Sequence, residues 1–157
     1  MTAHERAARL ERTRRELGRL AWLMDDLFRI PGTGRRIGLE PLIGLIPVVG
    51  DLATGAVGAY LIARALRFRL PVIVVVRMVF NTLLDVVIGG IPLLGDVFDF
   101  YWKGNSRNME LFREYAEEPG RSTRRHYIFF AAVLGLILLV ILAVAAAVIW
   151  LIRQILS

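Results

Sequence analysis

The chain has 157 residues, of which 56% are hydrophobic, yet it carries 20 Lys+Arg against 14 Asp+Glu and a net charge of +6. Apolar and charged residues in such amounts must be segregated into blocks, which is the composition of a membrane protein and argues against an ordinary soluble domain. Cysteine is absent, which excludes disulfides and thiolate metal sites, and the two histidines, His4 in a polar segment and His126 at the mouth of an apolar run, argue against a His-based catalytic or zinc centre.

Residues 1–30 are expected to form a basic amphipathic helix: Leu10, Leu17, Leu20, Leu23, Met24, Leu27 and Phe28 recur on one side, with Arg and Glu on the others. The segment lacks the apolar core and small-residue cleavage site of a secretion signal. Two placements suit it, an anionic membrane surface with Trp22 at headgroup depth or the face of a partner helix, and the surface is the favoured one. Pro31-Gly32-Thr33-Gly34 then breaks the helix.

Residues 31–69 and 70–116 read as a tandem repeat. Ile46-Pro47-Val48-Val49-Gly50-Asp51 returns as Ile91-Pro92-Leu93-Leu94-Gly95-Asp96, and at the same offset Glu40 meets Asp85, Ile43 meets Ile88 and Gly44 meets Gly89. Proline stops a helix, glycine supplies a turn and aspartate caps the next helix, so Pro47, Gly50, Pro92 and Gly95 are expected to be structural turns of two helical hairpins. The first arm of repeat one is short, ~15 Å against a ~30 Å hydrocarbon core, so that hairpin is expected to be re-entrant. In repeat two, Arg77, Asn81 and Asp85 fall four apart and share one face of an apolar helix, a stripe that must face protein or water rather than lipid. A further helix, opening at Asp96 with an aromatic cluster beside Lys103, is expected to run to about Ala116.

Residues 117–126 form a linker with a basic patch. Residues 127–152 contain no charge over 26 positions, enough for a transmembrane helix. The fold class is therefore all-α: an integral membrane protein with an amphipathic first helix, two partly re-entrant hairpins in parallel orientation and a C-terminal span. Nine positive residues precede Gly38, most others sit at 64–69, 103–113 and 121–125, and Arg153 stands alone at the far end. The positive-inside rule then puts the N-terminus on the cytoplasmic side of the cell (inner) membrane and the C-terminus outside.

The acids Glu40, Asp51, Asp85, Asp96 and Asp99 are the candidates for a cation or proton path, or for hard oxygen ligands to a divalent ion of unknown identity. Against this, Asp51 and Asp96 suit helix caps, Asp99 suits a surface pair with Lys103, and Asp85 suits an ion pair with Arg36 or Arg77. No cofactor or nucleic-acid partner is expected; the partners are membrane lipids and further copies of the chain. The leading function is a non-enzymatic homo-oligomeric channel- or transporter-like assembly. The alternative is a non-catalytic membrane module that binds lipid or scaffolds proteins, and a metal enzyme acting on phospholipid headgroups ranks well behind both.

Several of these stretches also carry a resemblance. The run from Leu20 to Thr33, Gly38 to Asp51, Arg77-Met78 with Asn81 and Asp85, and Ile91 to Lys103 with Asn105 and Asn108 resemble the domain-of-unknown-function 4112 family over about residues 15–113. The resemblance implies a small, mostly prokaryotic membrane-associated protein and brings no activity; the C-terminal helix lies beyond it.

Overall fold

Five helices and one two-strand ladder make up the described part of the computed structural model, which comprises residues 3–39, 43, 49–89, 91, 98 and 101–156. The chain divides into a unit of residues 1–121 and a second of residues 122–157.

Helix α1 (Ala3–Asp25) is rich in Ala, Leu, Glu and Arg, the better helix formers, with Glu5 in its first turn where the helix dipole favours an acid. Thr13, Leu17, Ala21 and Met24 recur at helical spacing and are buried. They are buried against the chain itself, because α1 packs on α4 (Gly104–Glu117) and α2 (Val49–Arg67). Of the two placements the sequence allowed, the structure shows the partner helix; Trp22 remains 41% exposed at the rim.

The Pro31 break becomes a small hairpin in which β1 (Phe28–Arg29) pairs antiparallel with β2 (Arg36–Ile37), Phe28 opposite Ile37. Gly32 and Gly34 take the positive φ angles its turn needs, 80° and 67°. This ladder is the departure from an all-α chain. Gly38 then lies against the end of α1, where a Cβ would come 1.5 Å from the Met24 carbonyl oxygen, and the Leu39 N–H donates to Leu23 O at 2.9 Å.

α2 and α3 (Val72–Gly89) form a tight antiparallel pair: Gly58 faces Thr82 and Gly55 faces Val86, the small residues letting the backbones approach. This hairpin links the second arm of repeat one to the first arm of repeat two. Of the expected turn residues, Gly50 falls in the first turn of α2, while Pro47, Pro92 and Gly95 lie outside the described residues. The helix expected from Asp96 to Ala116 is interrupted. Lys103 takes a left-handed conformation with φ 50° and α4 starts afresh at Gly104.

The core of this unit is built from Leu17 of α1, Leu61 and Ala65 of α2, Val74 and Met78 of α3, and Leu111, Phe112 and Tyr115 of α4. Phe112 is fully buried and meets Phe68 edge-on, ring centroids 5.4 Å apart. Polar ties cross the surface: Arg64 donates to Glu16 Oε2 at 2.9 Å and Arg14 to Glu117 Oε1 at 3.1 Å.

α3 is two-sided. Val74, Val75, Met78, Asn81 and Asp85 are buried, while Val72, Val76, Val79, Leu83 and Val87 form an exposed apolar stripe at four- and three-residue steps. The second unit is α5 (Arg124–Leu156), 33 residues long, with leucine, isoleucine and valine exposed along its length. α3 and residues 124–154 of α5 are both long and apolar enough to cross a membrane.

Candidate functional site at the start of the fourth helix

A helix start leaves its first N–H groups without intrahelical acceptors, and the residue before α4 does not help: Lys103 makes no side-chain cap. The acceptor comes from α1. Asp25 Oδ2 receives the Ser106 N–H at 2.7 Å and Asp25 Oδ1 the Asn105 Nδ2 at 3.2 Å. Asp26 accepts from Ser106 Oγ at 3.0 Å and pairs with the Lys103 ammonium. From α3, Asp85 lies so close to Gly104 that a Cβ there would come 1.9 Å from Asp85 Oδ2. Three carboxylates thus surround one helix N-terminus, where the dipole and free N–H groups favour negative charge.

One turn further along α4 the polar seam continues. Asn108 Oδ1 accepts from Asn81 Nδ2 at 2.9 Å, and Asn108 Nδ2 donates to Met78 O at 3.1 Å and to Thr82 Oγ1 at 3.0 Å. Both amide hydrogens and the carbonyl oxygen of Asn108 are engaged within the α3–α4 interface. Asn81 Oδ1 has no hydrogen-bond partner among the described residues.

Burial governs the electrostatics. Asp25 is 4% exposed, and desolvation pushes its carboxyl above the ordinary range. The Ser106 N–H and Asn105 amide pull it back, and the neighbouring Asp26 charge adds to the rise.

Among the sequence candidates, Asp85 joins this cluster and is 3% exposed. Arg77 is eight residues earlier on the same helix, ~12 Å along its axis, too far to pair with Asp85 directly. Its guanidinium carbon lies 5.8 Å from the Phe80 ring. Arg36 is exposed on β2. Glu40, Asp96 and Asp99 lie outside the described residues; Asp51 is in the first turn of α2, its side chain undescribed. No group of three His, Asp or Glu placed to hold a metal occurs among the described residues.

Asp25 and Asp26 are not among the site residues expected from the sequence. A signal was available. Two adjacent acids close a helix whose C-terminal end disfavours negative charge, which implies that they answer to something outside that helix.

These features define a class: a helical unit closed by a buried carboxylate and amide seam, one of whose helices has membrane-spanning length and apolarity, followed by a second such helix. The chain belongs to the family described as Domain of unknown function (DUF4112), which residues 13–116 match. That match begins within α1 and ends in the last turn of α4, so it contains the whole seam and leaves out α5. The chain is also 38% identical over 73 residues to the uncharacterized membrane protein YLR326W of Saccharomyces cerevisiae, a stretch covering 46% of this chain and 30% of that protein. No solved structure matches the chain.

Proposed function

We propose that the protein is a non-catalytic integral membrane module that engages lipid, with the α4 seam as its structural keystone. The observation that carries this is the two-sidedness of α3. Its polar residues Asn81 and Asp85 are buried toward α4, and its outward stripe of Val72, Val76, Val79, Leu83 and Val87 is apolar over the helix length. A helix with that division suits a seat between protein and acyl chains. α5 supplies a second membrane-length helix with none of its apolar stretch buried. The positive-inside rule sets the N-terminus on the cytoplasmic side of the cell membrane and the C-terminus outside.

The chain contains no cysteine, so single-cysteine probes are unambiguous. Spin labels at Val79 and Leu83 in reconstituted protein should be accessible to oxygen and shielded from a water-soluble nickel chelate. Nickel access equal to that of a label at Trp22 would overturn the membrane seat of α3. An externally added impermeant maleimide should modify Ser157→Cys and not Thr2→Cys in intact cells, and the reverse pattern would invert the topology.

A second reading is a homo-oligomeric, acid-lined path for cations, protons or a small solute. It is favoured by the orphaned acceptor of Asn81 beside Asp85 on a membrane-length helix. Native mass spectrometry would have to find a closed ring, and Asp85→Asn would have to abolish flux in liposomes while folding survives.

A further inference from the structure

Most of the cations that tie this unit together have an acid. Arg14 pairs with Glu11 and Glu117, Arg64 with Glu16, Lys103 with Asp26 and Arg121 with Glu114. Arg6 and Arg9 of α1 and Arg67 and Arg69 at the end of α2 have none among the described residues, and all four are exposed. They nevertheless converge, lining with Phe68 a cavity of about 290 Å³. Four arginines and, among the described residues, no acid line one hollow, an arrangement whose mutual repulsion calls for an anion with several oxygens.

The walls are built rather than loose. Phe68 is held from below by Phe112, and the Arg9 guanidinium carbon lies 5.8 Å from the Phe68 ring centroid. α2 ends in paired closing bonds, Leu70 N–H to Ala65 O at 3.1 Å and Arg69 N–H to Leu66 O at 3.0 Å. This ending places Arg69 in the left-handed region, φ 56°, where glycine is the usual occupant. An arginine kept in that position is under steric strain that a glycine would not feel.

The surroundings identify the anion's source. Three residues after Arg69 the exposed stripe of α3 begins at Val72, which is 78% exposed. A charged hollow at the head of an apolar stripe has the division of a phospholipid, phosphate at one end and acyl chain along the other. Resting on the reading of α3 as lipid-facing, we infer that Arg6, Arg9, Arg67 and Arg69 form a binding site for the phosphoryl headgroup of an anionic phospholipid.

The test uses the full chain in phosphatidylcholine nanodiscs titrated with phosphatidic acid, bound lipid being counted by native mass spectrometry. Arg67→Gln with Arg69→Gly should weaken phosphatidic acid retention at least tenfold. Arg69→Gly alone should leave the thermal midpoint unchanged or raised, since glycine relieves the positive φ, so weaker binding cannot be blamed on unfolding. Arg12→Gln with Arg19→Gln removes the same charge from another face of α1 and should change retention less than twofold. Equal losses in the two double variants would overturn the site in favour of diffuse attraction, as would retention unaffected by the pocket variant. Displacement of the lipid by millimolar inorganic phosphate would overturn the lipid source. Failure of the wild-type chain to enter neutral nanodiscs would instead refute the proposed function; entry without selectivity would refute only the site.

Discussion

Replacing Asp25 by alanine tests the keystone directly. The wild-type carboxylate satisfies a backbone N–H in the first turn of α4 at 2.7 Å and the Asn105 amide at 3.2 Å, in a position 4% exposed. Losing a charge-assisted acceptor costs ~1.5–3 kcal/mol, and an orphaned buried donor adds ~1 kcal/mol or more. Burial works the other way, because alanine also removes the cost of desolvating the carboxyl. The net expectation is ~2–3 kcal/mol of destabilisation, or a fall of roughly 5–10 °C in midpoint at this chain length. Asp25→Asn keeps the volume and one acceptor and should lose about half as much. Thermal unfolding in detergent, followed by far-UV circular dichroism, measures both. A midpoint for Asp25→Ala within 1 °C of wild type would refute the reasoning, because the start of α4 would then be capped by other means.

The same carboxyl predicts a pH dependence. Its folded pKa is raised, so its favourable contribution is complete below the ordinary aspartate value of ~3.9 and is lost as pH rises through the folded value, ~1.4 kcal/mol for each unit of upshift; the stability gap between wild type and Asp25→Asn should therefore shrink with rising pH, as paired melts from pH 4 upward would register. Gly104→Ala should destabilise despite a helix-propensity gain of ~1 kcal/mol, since its methyl would meet Asp85 Oδ2 at 1.9 Å. In an Asp85→Ala background the same change should turn neutral or favourable, and a double-mutant cycle showing additivity would count against the contact. Asn108→Leu should cost ~2 kcal/mol by stranding Asn81 Nδ2, and adding Asn81→Leu should recover at least half of it in the same melts. Gly58→Ala should separate α2 from α3, its methyl lying 2.5 Å from Thr82 Cγ2, with ~1–3 kcal/mol lost and partial rescue by Thr82→Ala.

What could be read in the sequence depended on how local its cause was. α5 was legible because a long uncharged run needs no partner to be recognised, although the helix extends to Arg124 and Leu156, beyond residues 127–152. The four-residue spacing of Arg77, Asn81 and Asp85 correctly turned Asn81 and Asp85 inward. What neutralises Asp85 was less legible: Arg77 stands eight residues away on the same helix, and Arg36 is exposed on the β-hairpin. The restart at Gly104 was hidden because its cap comes from Asp25, about 80 positions away, and periodicity within one helix contains no trace of it. The amphipathic pattern of α1 was plain, yet that pattern describes a face and not what covers it; the answer, α4, comes from a distant stretch of the chain.

The clasp between α1 and α4 also sets an order of assembly. Asp25 cannot meet Ser106 until the intervening 81-residue separation has been synthesised, at about 5–20 residues per second in the cell. α2 and α3, joined by a short turn, can pair well before that, since closing a short loop costs less entropy than closing a long one. α1 is synthesised before α2 and α3 yet is clasped after they can pair, and until then Asp25 and Asp26 stay hydrated. A nascent chain stalled before Gly104 would hold a paired α2–α3 and an unclasped α1.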